Sequence, residues 1–324
     1  MAKGRPKQMR RSAVTTYYRS QMTPRLVGLV VALAGCDSVF GLVPDPTAPP
    51  ADGPAPCEIG TPFPPGQPAM ITGAYNVEAA RFTQDEKIVY LSLCELGGSK
   101  TTCDLYTGQR FDDGTIGSYA RIETSDSTTY DAYPTVTTDG KYLVYAGRRS
   151  GETRNYVTPS INGFFTQTGN MLLPVAADLS YSNEPYLLAD GKTLYFSGTS
   201  DLYRSQGDAP SFGDIATRMR LTSVNSSKSD LAPVVTNDDL ELFFSSDRDS
   251  AGLDIWTATR ASAGGDFSQP TRSDVSIPDD GTSDALQRLE WPVWISSDRC
   301  TLYYIAKQGR TDSAVATLYV TSRR

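Results

Sequence analysis

The sequence predicts an all-β protein whose folded part is a single five-bladed β-propeller. Three observations carry this prediction. A pattern of short apolar strands recurs five times from residue 78 onward, each copy has a tight turn between two strands, and the strand after that turn is continuously apolar. The composition is that of a globular chain, with 39% hydrophobic residues among 324. A six-bladed ring is the architectural alternative.

The charge distribution and the lack of histidine exclude several functions. Seven of the 30 Lys and Arg lie in the first 35 residues, so the rest of the chain sets 23 positive charges against all 37 acids. An acidic body predicts no nucleic-acid partner, because phosphate contacts need a basic face. Without histidine there is no Ser-His-Asp or Cys-His catalysis and no His-ligated metal site.

The N-terminus has the layout of an export signal. Basic residues precede the apolar run Leu26–Ala34, which is too short to span a bilayer but fits the apolar region of a signal peptide. The following Leu-Ala-Gly-Cys resembles the lipobox of bacterial lipoproteins. The resemblance implies a signal peptide over residues 1–35, lipidation of Cys36, and anchoring to a membrane of the bacterial cell envelope.

Residues 36–68 are predicted to form a disordered tether. The stretches 43–56 and 63–68 are rich in proline, and such segments stay extended because they cannot build a core. The propeller is then expected to occupy residues 69–324.

The five copies align on the turn between their first two strands. We take Gln84, Asp139, Asp190, Asp238 and Asp298 as equivalent, which spaces the copies 55, 51, 48 and 60 residues apart. Such a period accommodates four strands and their loops. The first strand of copies two to five contains a proline, which suits a strand start or an edge strand, and the innermost strand of a propeller blade is such an edge. These prolines are Pro134, Pro185, Pro233 and Pro292.

The second strands are predicted to be buried on both faces. They read Ile-Val-Tyr, Leu-Val-Tyr, Leu-Tyr-Phe, Leu-Phe-Phe and Leu-Tyr-Tyr from residues 88, 143, 194, 242 and 302. A one-sided antiparallel sheet would alternate apolar and polar residues. Sheets that stack face to face around an axis explain the continuous pattern.

A further strand-like segment precedes each copy, at residues 69–75, 118–123, 171–176, 219–224 and 271–277. The last copy has no segment after its third strand. Residues 69–75 are therefore predicted to supply the fourth strand of the last blade and to close the ring, which removes its exposed edges.

The repeat resembles the PD40 (WD40-like) repeat found in TolB-like propellers. The best matching stretches are DGKTLYFSG from Asp190 and SSDRDSAGLDIWTATR from Ser245, and copies one and five match loosely. The resemblance covers residues 69–324 and implies the fold. It does not carry over a function, because propellers host many activities.

Four cysteines remain beyond Cys36, and an even set in an exported chain suggests disulfides. Cys94 and Cys103 flank one hairpin loop and are expected to pair. Cys57 precedes the closing strand and can reach Cys300 in the last blade. Four reduced cysteines are the alternative.

Each copy has an acid just before its predicted innermost strand, and together these acids are expected to ring one mouth of the central channel. Such a ring could bind a cation such as Ca²⁺, or its members could cap local turns, which is the favoured interpretation. No other metal site is predicted. The five acids are Glu78, Asp131, Glu184, Asp230 and Glu290.

Trp291 and Trp294 lie three residues apart and are expected on opposite faces of the last innermost strand. One would pack between blades, and the other could contact a ligand in the channel.

No nucleophile elbow, Walker loop or HExxH motif is present. The favoured function is a non-catalytic envelope scaffold that recognises a protein or peptide over one propeller face. The alternative is a carbohydrate-binding or glycoside-hydrolysing propeller that uses channel carboxylates.

Overall fold

The computed structural model describes residues 56–73, 75–95, 103–123, 130–149, 151–166, 170–249, 252–275, 288–307 and 315–323. The predicted signal peptide and Cys36 lie outside these residues. Within the described part the chain forms five antiparallel sheets and one single-turn 3₁₀ helix, Pro174–Ala176. No helix in this part has the length and apolarity needed to cross a membrane.

Each sheet is one blade of four principal strands. The strands of the five blades, from the innermost outward, have the following bounds. Blade one contains β2 Tyr75–Phe82, β3 Ile88–Glu95, β4 Cys103–Arg110 and β5 Ile116–Arg121; blade two contains β6 Asp131–Val136, β7 Tyr142–Arg149, β8 Glu152–Ile161 and β10 Met171–Leu172, with β9 Phe164–Phe165 paired to β8; blade three contains β11 Ser182–Leu187, β12 Thr193–Gly198, β13 Asp201–Gln206 and β14 Met219–Arg220; blade four contains β15 Asp230–Val235, β16 Glu241–Ser246, β17 Asp254–Thr259 and β18 Thr271–Arg272; blade five contains β19 Leu289–Ile295, β20 Thr301–Lys307, β21 Ala316–Ser322 and β1 Gln67–Pro68.

The innermost strands form a closed ring. Strand β2 contacts β6, β6 contacts β11, β11 contacts β15, β15 contacts β19, and β19 returns to β2. This adjacency confirms the predicted five-bladed propeller and excludes a sixth blade from the ring.

The second strands are buried as predicted. All six residues of β12 and all six of β16 are buried, because each blade is covered on both faces by its neighbours. A serine on these strands also joins adjacent blades. Ser92 donates to the carbonyl of Asp131, and Ser245 donates to the carbonyl of Glu290.

The hairpin turn between the first two strands is the same device in blades one, two, four and five. A threonine or serine hydroxyl donates to an aspartate two residues on, as Thr137 does to Asp139, and the next residue has a positive φ, as Gly140 does (+68°). In blade one these positions are Thr83, Asp85 and Glu86. Asp85, and not Gln84, is therefore the equivalent of Asp139, which corrects the alignment by one residue.

In blades two to five the outermost strands are shorter than their predicted segments, whereas β5 has the predicted six residues but starts two residues earlier. Ion pairs hold three of the outermost strands. The third strands of blades one, three and four each have an aspartate at their first or second position, close to an arginine on the fourth strand. The pairs are Asp104–Arg121, Asp201–Arg220 and Asp254–Arg272, at 2.7–3.0 Å.

The N-terminal segment closes the ring, two residues earlier than predicted. Strand β1 pairs with β21, and Ala69 donates to the carbonyl of Leu318. Residues 70–72 instead bond to Ile116 at the edge of blade one. The reason for the shift is that the segment spans two blades, so only its first half faces the last one.

Part of the predicted tether is folded onto the propeller. The Phe63 side chain is 1% exposed and packs edge-on against Phe243, with ring centroids 5.8 Å apart. Cys57 forms the expected disulfide with Cys300. The propeller domain therefore begins before residue 69, because one buried aromatic and one covalent bond fix residues 57–68 in place.

A buried ion pair completes the closure. Arg323 donates from both Nη atoms to Glu241, at 2.5 and 3.0 Å, and both side chains are 1% exposed. Arg323 also donates to the carbonyl of Thr61, and its guanidinium lies 4.4 Å from the centre of the Phe63 ring. The C-terminal strand, the N-terminal segment and blade four thus meet at one arginine. We call Cys57–Cys300, Phe63 and Arg323–Glu241 the closing clasp.

The second expected disulfide, Cys94–Cys103, is also present and joins β3 to β4 across its hairpin.

Removing the two disulfides should destabilise the protein unequally. Cys57 and Cys300 are 243 residues apart, and Cys94 and Cys103 are nine apart. Loop-closure entropy therefore predicts a loss of about 5 kcal/mol for Cys57→Ser/Cys300→Ser but only about 2.5 kcal/mol for Cys94→Ser/Cys103→Ser. Urea unfolding of both double variants under oxidising conditions measures the difference. Equal losses would show that residues 57–68 do not constrain the ring.

Candidate functional site

The central channel has a pocket at the end that carries the hairpin turns between the first and second strands. We call this end the turn mouth. Its cavity of about 370 Å³ is lined by residues from all five blades. Three of the acids predicted to ring a mouth, Asp131, Asp230 and Glu290, lie at the first or second position of their strands, at the opposite end. Glu78 and Glu184 lie further along β2 and β11.

The rim of the turn mouth contains one residue from each blade. Every rim residue immediately precedes the aspartate of its hairpin turn, so the repeat places all five at equivalent positions. Apart from one alanine they are neutral hydrogen-bonding side chains. The rim consists of Gln84, Thr138, Ala189, Asn237 and Ser297.

The deeper wall of the pocket contains a buried arginine. Arg81, the penultimate residue of β2, is 4% exposed, and its guanidinium carbon lies 4.6 Å from the centre of the Tyr186 ring. Burial lowers the pKa of Arg81 to about 10, which leaves the side chain charged at neutral pH. Thr135 and Trp294 line the same cavity.

Two of the predicted acids are bound in equivalent ion pairs. Asp131 pairs with Arg149 at 2.7 Å, and Asp230 pairs with Arg248 at 2.6 Å. Both carboxylates are fully buried, and Asp230 also accepts from the backbone and hydroxyl of Ser226. Of these contacts, the Ser226 N–H bond to Asp230 is the local backbone bond that the turn-capping interpretation expects, whereas the two arginine contacts are ion pairs with a residue at or just beyond the end of the blade's second strand.

Glu184 joins two blades. Its Oε2 atom accepts from the Ser197 hydroxyl and from the backbone N–H of Ala232 in the next blade. Glu184 and Ala232 both have a positive φ, 53° and 51°, at equivalent bulges of β11 and β15. Burial raises the pKa of Glu184, and hydrogen bonding opposes that shift only in part.

The remaining two acids occupy different surroundings. Glu78 lies close enough to Tyr130 and Tyr133 to raise the pKa of both phenols, although burial is the larger cause. Glu290 is 1% exposed. It adds to the rise in the pKa of Tyr304 on β20, of which burial is the larger cause.

The five acids therefore do not form one ring. Asp131 and Asp230 open their strands, whereas Glu184 lies two positions further along, at a bulge. Across the described residues no three acidic or cysteine side chains are close enough together to hold a metal ion.

The two tryptophans contact the same neighbour, contrary to the prediction of opposite faces. The Trp291 indole donates to the carbonyl of Glu78 on β2, and Trp294 packs against Phe82 of that strand at 4.9 Å. The cause is a bulge between Pro292 and Trp294, which adds a residue and resets the alternation. Both indoles are 7% exposed, so packing is their main role, although Trp294 borders the pocket.

Sequence reasoning missed the site at the turn mouth. The rim could have been found, because its members share a fixed position before the turn aspartate. Arg81 had no such signal, since it belongs to the degenerate first copy and has no counterpart at the same place in the others.

Comparison with known proteins finds distant structural likenesses only. No protein-family model and no curated protein matches the chain. Among solved structures, a putative TolB from Agrobacterium tumefaciens is 14% identical, with a TM-score of 0.47, over 78% of this chain and 91% of that one. A putative glycoside hydrolase from Bacteroides ovatus is 10% identical, with a TM-score of 0.48, over 84% and 97%. An α-L-arabinofuranosidase from Podospora anserina is 12% identical, with a TM-score of 0.45, over 83% and 94%. At these values the likenesses carry no information on ligand or activity.

Stability of the Glu184 site should depend on pH. Because burial raises the pKa of Glu184 above 4.5, its favourable contribution is complete below pH 4.5 and is lost as pH rises through the folded-state value. Glu184→Gln keeps an acceptor oxygen and removes the charge, so its free energy of unfolding relative to wild type should improve between pH 4 and pH 7.

Glu184→Ala is the matched control. It leaves the buried Ser197 hydroxyl without its carboxylate acceptor and leaves the Ala232 N–H with only the Ser197 oxygen at 3.0 Å, and should lower the free energy of unfolding by about 1–3 kcal/mol at both pH values. Urea unfolding at the two pH values measures these effects. A Gln variant that loses stability steadily towards pH 7 would show that Glu184 is held in its ionised form.

Proposed function

We propose that this protein is a non-catalytic recognition propeller that binds a protein or peptide partner at the turn mouth. The observation that carries the proposal is the pocket itself, into which one rim residue from every blade converges above a buried cation. Side-chain amides and hydroxyls on the rim can both donate and accept hydrogen bonds, and these are the contacts that a peptide backbone requires.

The contacts of the channel acids support a non-catalytic role. A glycosidase needs two carboxyl groups that flank the scissile bond, one of them a free proton donor. Asp131 and Asp230 are each neutralised by an arginine, and Glu184 is bonded to two donors within the fold. None of these three is placed in the pocket at the turn mouth.

The proposed location is the bacterial cell envelope, with the lipid on Cys36 as anchor. Support comes from the lipobox-like Leu-Ala-Gly-Cys after an apolar run, and from two disulfides, which form in oxidising compartments. Cys36→Ser should move the protein from the membrane pellet to the soluble fraction. A variant that stays in the pellet would contradict lipid anchoring.

A comparison of blocked and unblocked mouths tests the recognition role. Asn237→Trp and Ser297→Trp place a large ring on the exposed rim, whereas Met219→Trp adds the same ring to an exposed position on the outermost strand β14. Wild type and Met219→Trp should retain the same partner from detergent-solubilised envelopes, and the two rim variants should lose at least 90% of it.

Equal recovery of the partner by all four proteins would place its binding elsewhere. Hydrolysis of aryl glycosides or plant polysaccharides by wild type, abolished in Glu184→Gln, would replace the proposal with the carbohydrate-active alternative.

A further inference from the structure

Arg81 has unused hydrogen-bonding capacity inside the pocket. Its Nε and Nη1 atoms are buried, and no residue in the described part of the chain supplies an acceptor for them. The face of the guanidinium is covered by Tyr186, but stacking on a ring leaves the N–H groups in the guanidinium plane unbonded.

The other buried arginines of the described residues differ from Arg81 in this respect. Arg323 is paired with Glu241, and Arg260 is paired with Asp239 and also donates to the Tyr195 hydroxyl. Both are structural, because their carboxylate partners belong to the fold. Arg81 forms no ion pair with any described residue, although burying a charge without an acceptor is unfavourable.

We propose that Arg81 binds the carboxylate of a peptide that enters through the turn mouth. This inference rests on the proposed function and names the chemistry that the site selects. The guanidinium presents adjacent N–H donors in one plane, which match the two oxygens of a carboxylate. Such a ligand supplies the acceptors that the fold leaves out.

The electrostatics of the pocket favour a single negative charge. Arg81 is one cation, and Glu184 is near enough to influence its pKa. A monoanionic carboxylate neutralises Arg81. A phosphate dianion would bring a second negative charge, which Glu184 would repel.

Two aromatic residues of the pocket, Tyr186 and Trp294, are not available as a sugar platform. Arg81 covers Tyr186, and Trp294 packs against Phe82 and Tyr303. Both Tyr186 and Trp294 are less than 10% exposed. A sugar ring that stacks needs an open aromatic face, so these contacts favour a carboxylate ligand over a neutral glycan.

The size of the cavity limits how much of a peptide is enclosed. A volume of about 370 Å³ lies at the small end of ligand pockets, so only the terminal residue or one acidic side chain reaches Arg81. The rest of the peptide would lie across the rim. The carboxylate can therefore come from the C-terminus or from an acidic side chain, and the two sources are separable by amidation.

The test uses three synthetic pools of N-acetylated tripeptides and inorganic phosphate, measured by calorimetry against the mature full-length protein. One pool ends in a free carboxylate without acidic side chains, a second is its C-amidated copy, and a third is amidated and contains one Asp or Glu. Inorganic phosphate is the anion control. We expect the free-acid pool or the acidic-side-chain pool to bind at least 100-fold more tightly than the neutral amidated pool.

Two variants assign the effect to Arg81. Arg81→Met keeps the stem and removes the charge, and should weaken binding of the preferred pool at least 100-fold. Arg81→Lys keeps the charge but lacks the planar donor pair, and should weaken it about tenfold. In the ligand-free protein Arg81→Met should have an unchanged or higher Tm, because it removes an unpaired buried charge.

Three results would overturn the inference. Equal affinity for acid and neutral pools would exclude carboxylate recognition, tighter binding of phosphate would exclude the single-charge argument, and unchanged affinity of Arg81→Met would exclude Arg81 as the contact. A lower Tm of ligand-free Arg81→Met with unchanged affinity would assign Arg81 to the fold.

The experiments distinguish failure of the proposed function from failure of the proposed role of Arg81. If the rim variants Asn237→Trp and Ser297→Trp lose the envelope partner while Arg81→Met retains it, the turn mouth is the recognition site and only the role of Arg81 is wrong. If neither the rim variants nor Arg81→Met change partner recovery, the proposed function itself is wrong.

Discussion

The structure depends on a disulfide and a buried ion pair that close the ring of five blades. Five sheets radiate from one axis, and the last sheet has only three strands until β1 is added from the opposite end of the chain. The closing clasp fixes this strand by a disulfide, a buried phenylalanine and a buried Arg–Glu pair. Each blade is buried by its neighbours on both faces, so an open ring would expose two blade faces to water.

Closure also determines the functional site. No single blade forms the pocket at the turn mouth, because its rim consists of one residue from each of the five blades. Arg81 stands at the end of β2 in the first blade, while Trp294 stands on β19 in the last. The contact of β19 with β2 is the seam that closure creates, and both residues line the cavity beside that seam. The contact between β2 and β19 therefore both closes the ring and shapes the candidate site.

Most of the fold could be predicted from the sequence because each repeat encodes its turn and its buried strand in a few consecutive residues. A turn aspartate and an apolar triplet are sufficient to identify a hairpin with a doubly buried strand. The predicted closure of the last blade by an N-terminal strand then brings Cys57 within reach of Cys300. The site was predicted less well. Bulges in β11, β15 and β19 shift the facing of nearby side chains, so acids such as Asp230 and Glu184 that look equivalent in sequence differ in place. Arg81 could not be found, because its lack of an ion-pair partner among the described residues is a property of the folded ring.

The most direct test of the account is amide hydrogen exchange of Cys57→Ser/Cys300→Ser compared with wild type. If closure holds the ring and the pocket together, exchange should accelerate in the innermost strands β2 and β19 on both sides of the seam, and also in the turns at the mouth. The account would be contradicted if exchange increased only in β1 and β21 while the innermost strands kept their wild-type protection, because the ring would then be stable without its clasp.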